Sequence, residues 1–133
     1  MGKCANLIVQ CMDYRIQGTI NDWIEDHGFW GDIDVVSFGG SCKLKDMALQ
    51  NIGIGCEKHG VKHVILTQHD DCAAYGGHGA FPSLDAERDR LIDDMIGVKR
   101  SVMEKYDNVR VTMLYVEEDG DSWKIVEIDW NEK

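Results

Sequence analysis

Basic residues are scarce in this sequence, which has 14 Lys and Arg against 24 Asp and Glu and a net charge of −10. Nucleic-acid binding needs a basic surface that displaces counterions from phosphates, so this charge excludes a nucleic-acid partner. Apolar runs are also short, because none reaches the roughly 20 residues that a membrane span needs. The first residues lack the apolar segment of a secretory signal. We therefore expect a cytoplasmic protein without membrane association.

We do not expect disulfide bonds. The number of cysteines, five, is odd, and their spacing is not that of a disulfide framework. Reduced thiols of this kind fit the cytoplasm better than an oxidising compartment. The sequence has one proline and no repeats or linkers, and its 133 residues suffice for one core. Glycine motifs that bind phosphate are missing as well. We predict a single domain over residues 1–133.

Apolar segments of two kinds alternate along the chain. Short runs rich in β-branched residues predict strands, and segments with apolar residues at helical spacing predict helices. The predicted strands are Ala5–Gln10, Ile33–Phe38, His63–Gln68, Val109–Val116 and Trp123–Ile128, and the predicted helices begin near Ile16, Leu44 and Leu84. This order predicts an α/β fold. We expect a three-layer domain with a mainly parallel central sheet and a C-terminal antiparallel edge strand.

Soft metal ligands follow two of the predicted strands. Cys11 comes directly after the first strand, and His69 and Cys72 come directly after the third. Because the carboxyl ends of parallel strands meet at one edge of a sheet, these side chains are expected to share that edge. Two thiolates and an imidazole form a donor set suited to zinc and leave the fourth tetrahedral position open. The sequence therefore predicts a catalytic zinc site, with Zn²⁺ as the cofactor.

Two charged residues, Asp13 and Arg15, follow the first cysteine closely. Asp13 could accept a hydrogen bond from hydroxide on the metal and orient it toward an electrophile. Arg15 has a permanent, planar charge that would keep Asp13 ionised and turned away from the metal. Taken singly, a buried cysteine is usually a small apolar residue, and an Asp–Arg pair is usually a surface ion pair. Their combination at one sheet edge favours the metal site.

Other notable residues are assigned structural roles. Ser83 is placed to cap the third helix. The apolar stripe of that helix is predicted to contain Leu84, Leu91, Met95, Val98, Val102 and Tyr106. Structural thiols are expected at Cys4, Cys42 and Cys56, and surface positions at His59 and His63. His78, in a glycine-rich loop that we expect to be mobile, is a candidate proton shuttle.

Two motifs, C-x-D-x-R at Cys11–Arg15 and H-x-x-C at His69–Cys72, resemble the signature of the β-class carbonic anhydrases. The step of 58 residues from Cys11 to His69 is also similar to that of the family. The segment Val35–Gly40 resembles the family's second strand and the turn after it. Val111–Ile128 resembles the family's final pair of strands. The resemblance covers most of the chain.

The resemblance implies that Cys11, His69 and Cys72 bind zinc and that Asp13 and Arg15 form the catalytic dyad. The implied reaction is the reversible hydration of carbon dioxide to bicarbonate by zinc-bound hydroxide. Family members are dimers or higher assemblies in which a neighbouring subunit helps to form the apolar substrate pocket. The resemblance therefore implies a homodimer or a larger homo-oligomer.

The sequence departs from the family pattern at four places. Tyr14 stands where the family usually has Ser, Ala73 replaces the Gly after the second cysteine, and Ser37-Phe38 replaces the Arg-Asn of the second-strand turn. The segment before the first strand is also too short for the helical arm that grips the partner subunit. These changes affect the expected pocket and dimer geometry, whereas the metal ligands are all present.

Three other functions stay open on the sequence alone. A related zinc hydrolase would use the same site on another small electrophile, such as carbon disulfide or carbonyl sulfide. A catalytically silent zinc-binding domain would keep the ligands without turnover. Alternatively, Cys11 would be a nucleophile on a strand-to-helix turn, although the spacing C-x-x-x-R is too short for a phosphate cradle.

Overall fold

The computed structural model describes residues 1–129. Its strands are β1 (Asn6–Gln10), β2 (Ile33–Ser37), β3 (His63–His69), β4 (Arg110–Asp119) and β5 (Ser122–Glu127). Its α-helices are α1 (Gln17–Asp26), α2 (Lys45–Lys58) and α3 (Leu84–Lys105), and short 3₁₀ turns lie at Ser41–Lys43, Ala73–Tyr75 and His78–Ala80. The predicted alternation of strands and helices is confirmed, with small shifts at the element ends.

The five strands form one sheet in the order β2-β1-β3-β4-β5. The pairs β1–β2, β1–β3 and β3–β4 are parallel, and β4–β5 is antiparallel. From β1 the chain moves to β2 on one side, and it then moves in the opposite direction to β3 and β4. Because crossovers between parallel strands are right-handed, this reversal places α1 on one face of the sheet and α2 and α3 on the other. Contacts between α2 and α3 agree with this arrangement. The predicted fold class is confirmed.

The central strands β1 and β3 form the middle of the core because every residue in both is buried. Their near-continuous apolar runs suit a sheet that is covered on both faces. The edge strand β2 is only partly buried. The carboxyl ends of β1 and β3 are adjacent, since Val9 pairs with Leu66. The residues that follow these two strands therefore come close together.

Helix α2 approaches the sheet closely at Gly55. A Cβ at this position would lie 2.5 Å from Leu7 Cδ1 and 3.3 Å from Val61 Cγ2. Real Cβ atoms do not come that close to another carbon, so any larger residue here would force the buried Leu7 side chain or the helix to shift. The turn after α2 is thereby held against the amino end of β1.

Helix α3 begins as predicted, because the Ser83 hydroxyl accepts a hydrogen bond from the amide of Ala86 at 3.0 Å. The predicted apolar stripe is wrong at its first residue, since Leu84 is 44% exposed. The first buried residue of the stripe is instead Glu87. Within residues 1–129, no helix combines the length and the apolar character that crossing a membrane requires.

The prediction that His63 lies at the surface is wrong. It begins the central strand β3, where neighbouring strands cover it on both sides. Its Nδ1 hydrogen-bonds with Asn6 Oδ1 at 2.9 Å, and its Nε2 hydrogen-bonds with Thr112 Oγ1 at 2.8 Å. Burial lowers the pKa of His63 to about 4, so the ring is neutral at physiological pH.

Candidate metal centre

Cys11, His69 and Cys72 meet at the carboxyl edge of the sheet. All three side chains are buried, and their possible ligand atoms lie within 4.8 Å of one another. The two sulfur atoms are 3.8 Å apart. Cys11 directly follows β1, His69 ends β3, and the pairing of these strands brings both to one place. The structure thus brings together the three residues that the sequence analysis selected as ligands.

The imidazole of His69 is oriented for metal binding. Its Nδ1 lies 2.8 Å from the Asp70 carbonyl oxygen, which can only accept, so Nδ1 is the protonated nitrogen. Its Nε2 is buried and has no hydrogen-bond partner. A buried polar atom without a partner is costly, and a metal ion would satisfy the lone pair of this nitrogen.

The two thiols beside this nitrogen complete a donor set that zinc prefers. A hydrogen bond from Cys72 lowers the pKa of Cys11, and the same contact raises the pKa of Cys72. The pair therefore shares a proton that a bound cation would displace. Two sulfurs and one imidazole nitrogen, all buried, fit a tetrahedral zinc ion with one open position.

Asp13 lies beside this cluster and is fixed by Arg15. The guanidinium donates from Nη2 to Asp13 Oδ2 at 2.7 Å, and from Nε to both carboxylate oxygens at 3.1 and 3.2 Å. These hydrogen bonds lower the pKa of Asp13 below its usual range. Asp13 Oδ2 is 4.0 Å from His69 Nε2. An ionised carboxylate therefore borders the space that the three ligands surround.

The turn that presents Asp13 is ordered by hydrogen bonds within the segment after β1. The Arg15 amide donates to Asp13 Oδ1 at 2.9 Å. The side-chain amide of Gln17 donates to the carbonyl oxygens of Cys11 and Asp13, both at 3.0 Å. This turn carries one proposed ligand and both members of the Asp–Arg pair, so their relative positions are set locally.

Arg15 is also held from its other side, by residues that the sequence analysis did not select. Its Nη1 donates to Asp71 Oδ2 at 3.1 Å, and its Nη2 donates to the Asp71 carbonyl oxygen at 2.9 Å. The guanidinium lies 5.4 Å from the ring centroid of Trp123, a cation–π contact. Trp123 also packs edge-on against His69, with centroids 6.1 Å apart.

The conformation of Asp71 depends on its neighbours, because its φ of 58° is unusual for a residue with a side chain. Its amide donates to Glu87 Oε2 at 2.7 Å, and its Oδ1 accepts from the His78 amide at 2.9 Å. A Cβ on Gly77 would lie 2.8 Å from that same oxygen. The glycine-rich loop therefore supports Asp71, and Asp71 supports Arg15.

Asp70, the other acid of the H-x-x-C motif, anchors the same loop to α3. Its carboxylate is buried and accepts from Arg88 Nε at 3.0 Å and Arg88 Nη2 at 2.7 Å. The amide of Glu118 also donates to it, at 2.9 Å. The two acids of the motif therefore bind different partners, Arg88 for Asp70 and Arg15 for Asp71.

His78, in the glycine-rich loop, has a hydrogen-bond partner at each ring nitrogen. Its Nδ1 lies 2.6 Å from Glu87 Oε1, and its Nε2 lies 2.6 Å from Glu118 Oε1. Hydrogen bonds to these two carboxylates raise the pKa of His78 to about 9. A protonated ring with both nitrogens engaged is a structural cation, and its role as a proton shuttle stays an untested prediction.

Cys42, which also follows a strand, lies outside the ligand cluster. It is buried in the short turn after β2, and burial raises the pKa of its thiol to about 12. This agrees with the structural role that the sequence analysis assigned to it.

Glu87 is the residue that sequence reasoning could have found. It occupies the apolar stripe of α3, one turn before Leu91, and it is buried. A charged residue on a buried helical face needs partners, so its position alone indicated a polar network beneath the helix. Asp71 and Trp123 gave no such signal, because their contacts with Arg15 depend on how distant segments meet.

A cleft of about 510 Å³ opens beside the cluster. Its lining consists of Cys11, Met12, Asp13, Tyr14, Arg15, Gly39, Ala73 and Ala74. Met12 is 66% exposed and Tyr14 is 85% exposed. The lining therefore combines exposed apolar and aromatic side chains with the charged pair and with one proposed metal ligand.

Known structures share this architecture. Carbonic anhydrase from Streptococcus mutans is 16% identical, with a TM-score of 0.66 over 96% of this chain and 83% of that chain. Carbonic anhydrase from Glaciozyma antarctica is 18% identical, with a TM-score of 0.59 and the same coverage. A tetrameric β-carbonic anhydrase of Sordaria macrospora is 16% identical, with a TM-score of 0.61 over 96% of this chain and 82% of that chain. At these identities the likeness shows a common fold.

Comparison of the sequence with curated proteins gave no match. A family model described as "Putative carbonic anhydrase" matches residues 1–129, which is nearly the whole sequence. This match agrees with the strand order, with the two motifs after β1 and β3, and with the fold of the β-class structures. The chain belongs to this carbonic anhydrase family.

Proposed function

We propose that the protein is a zinc enzyme that catalyses the reversible hydration of carbon dioxide to bicarbonate. The observation that carries this proposal is the unpartnered Nε2 of His69 in a buried cluster with the thiols of Cys11 and Cys72. These three residues would hold the metal ion. When bound there, zinc supplies a Lewis acid that makes water acidic enough to act as a nucleophile near neutral pH.

Asp13 is proposed to orient the nucleophile. Its carboxylate oxygen lies 4.0 Å from His69 Nε2, one of the proposed ligand atoms. As an ionised acceptor it would take a hydrogen bond from the attacking oxygen and direct a lone pair of that oxygen at the carbon of the substrate. Arg15 keeps Asp13 ionised and, with Asp71 on its other side, holds the carboxylate off the metal ligands.

The cleft beside Asp13 is proposed to admit carbon dioxide and to release bicarbonate. Its volume of about 510 Å³ far exceeds what one small linear molecule fills, and its rim is exposed. Met12 and Tyr14 would lose much of their exposed surface if a second subunit covered this rim. We therefore propose a homodimer or a larger homo-oligomer in which the partner closes the cleft.

We propose that the protein functions in a reducing compartment such as the cytoplasm. All five cysteines are free thiols, and the sulfurs of Cys11 and Cys72 are 3.8 Å apart. Oxidation of this pair would remove two of the three ligands at once.

Substrate assays on one zinc-loaded preparation test the proposed reaction. We expect carbon dioxide hydration, followed by stopped flow with a pH indicator, to exceed the buffer rate strongly. Cys72→Ser, which removes one ligand, is the matched negative control. Turnover of carbonyl sulfide or carbon disulfide without hydration would replace this proposal with the related hydrolase, and no turnover of any substrate would leave a silent zinc-binding domain.

A further inference from the structure

A second cluster of metal-ligand residues lies at the opposite end of the sheet. It consists of Cys4, which precedes β1, Asp34 in β2 and His59 directly after α2. The sulfur, a carboxylate oxygen and a ring nitrogen of these residues lie within 4.8 Å of one another. Six residues of nearly extended chain lie between Cys4 and Cys11, so this cluster is on the order of 20 Å from the first.

The backbone fixes these three residues independently of any ion. The Cys4 amide donates to the His59 carbonyl oxygen at 3.1 Å, which joins the start of β1 to the end of α2. The His59 amide donates to the Gly55 carbonyl oxygen at 3.0 Å and ends the helix. Asp34 is held by its ladder position opposite Leu7. The ligand atoms therefore converge from three separately anchored segments.

The chemistry of the cluster suits a divalent transition-metal ion. A thiolate, a carboxylate and an imidazole match the ligand types of zinc sites, and together they carry two negative charges. His59 Nδ1 lies 2.7 Å from Asp34 Oδ2, so these two atoms form a hydrogen bond whose proton a bound cation would replace. The thiol of Cys4 donates a weak hydrogen bond to the Asn6 carbonyl oxygen, at 3.5 Å.

The cleft beside Cys4, Asp34 and His59 leaves space for a fourth ligand, and the carboxylate in it favours a cation. A surface cleft of about 250 Å³ is lined by all three residues together with Gly2, Lys3, Gly31 and Ile33, which leaves room for water. Asp34 places a carboxylate oxygen within 4.8 Å of the Cys4 sulfur, and a divalent cation between them would neutralise its negative charge.

We propose that Cys4, Asp34 and His59 form a second zinc site, distinct from the one used in the proposed reaction. This site closes the junction between the amino end of β1, the strand β2 and the end of α2. Its role is structural, because its ligands lie far from the cleft beside Asp13. The ordinary alternative is a half-buried His–Asp pair with a neighbouring thiol, worth little to stability.

Zinc content measured by mass spectrometry after saturation and removal of excess metal tests the proposal. The wild-type chain is expected to hold about two zinc ions, and Cys4→Ser and His59→Gln about one each, with carbon dioxide hydration unchanged. Cys56→Ser and His27→Gln are matched controls that should keep both ions. Circular dichroism confirms that each variant is folded.

Saturation of the wild-type chain at one zinc ion, with that ion lost in Cys72→Ser, would overturn the second site and leave the proposed function intact. Equal zinc content in wild type, Cys4→Ser and His59→Gln would overturn it as well. Loss of one ion in Cys4→Ser together with no change in Cys72→Ser would support the second site and contradict the ligands of the proposed reaction. A wild-type stoichiometry of one ion excludes two occupied sites without reference to any variant, and the variants assign the second ion when the stoichiometry is two.

Discussion

The guanidinium of Arg15 holds the carboxylate of Asp13 through three hydrogen bonds of 2.7 to 3.2 Å. The bound oxygen Oδ2 nevertheless stays 4.0 Å from His69 Nε2, close enough to reach a metal ion there if it were released. Arg15 in turn has Asp71 and Trp123 on its other side. The position of Asp13 is thus determined by a chain of contacts that extends from the first motif to the last strand.

Replacing Arg15 with glutamine is expected to lower carbon dioxide hydration by on the order of 100-fold, because a misplaced orienting group costs about that much. The charge that keeps Asp13 away from the ligand cluster would be gone. Stopped-flow kinetics measures the rate, and zinc content measured in parallel should not fall. Arg90→Gln is the control, since Arg90 is exposed on α3 and pairs with Asp94. A normal rate in the Arg15 variant would show that Asp13 does not need this partner.

The substitution Asp13→Asn preserves the size of the side chain and removes its charge. We expect zinc to be retained and hydration to fall by about 100-fold or more, which is the range for loss of a group that orients or accepts a proton. Asp22→Asn, on the exposed side of α1, is the matched control. If kcat/KM of the Asp13 variant equals that of the control, Asp13 has only a structural role.

His78 is expected to stabilise the fold in a limited pH window. Its pKa is raised to about 9 by Glu87 and Glu118, so its stabilising charge is fully present below the unfolded-state value of about 6.5 and is lost as the pH rises through 9. The variant His78→Gln should therefore unfold more easily than wild type at pH 6, and the difference should shrink toward pH 10. Urea unfolding at several pH values measures this.

A double-mutant cycle with Glu118→Gln separates the ion pair from the general effect of the substitution. The coupling energy between His78 and Glu118 should be favourable at pH 6 and close to zero at pH 10. A coupling that does not change with pH would mean that the contact is an ordinary hydrogen bond between neutral groups.

The close packing of α2 makes Gly55 a sensitive position. Gly55→Ala places a methyl group 2.5 Å from Leu7 Cδ1, so we expect a loss of about 1 to 3 kcal/mol in the free energy of unfolding. Gly97→Ala on α3 is the opposite case, because nothing lies within 4 Å of the added carbon. It should stabilise the protein by roughly 0.5 to 1 kcal/mol through helix propensity alone. Denaturant titration of both variants gives the comparison, and equal effects would contradict the packing argument.

The fold could be predicted because the apolar runs of β1 and β3 are continuous and the helices between strands have helical spacing. The same pattern placed Cys11 and His69 at one sheet edge, since both directly follow parallel strands. The prediction for His63 was wrong because it considered the residue's polarity and not its place in the sheet. Its polarity suggested the surface, but a polar residue that begins a central strand is buried and finds partners on the neighbouring strands.

The remaining parts of the site depend on contacts between distant segments, which local pattern does not specify. Trp123 reaches Arg15 only because β5 folds back on β4, and Asp71 reaches it only in a left-handed conformation. Cys4 and His59 were interpreted separately as a core thiol and a surface histidine. Their proximity follows from the return of α2 to the amino end of β1.

The most direct test of the account compares wild type with Cys72→Ser for zinc content, carbon dioxide hydration and stability on the same preparations. The account predicts one zinc ion fewer per chain in the variant, hydration at the buffer rate, and a lower free energy of unfolding, because metal binding is coupled to folding. Equal zinc content in the two proteins, or full hydration without Cys72, would contradict the proposal that Cys11, His69 and Cys72 hold the catalytic metal.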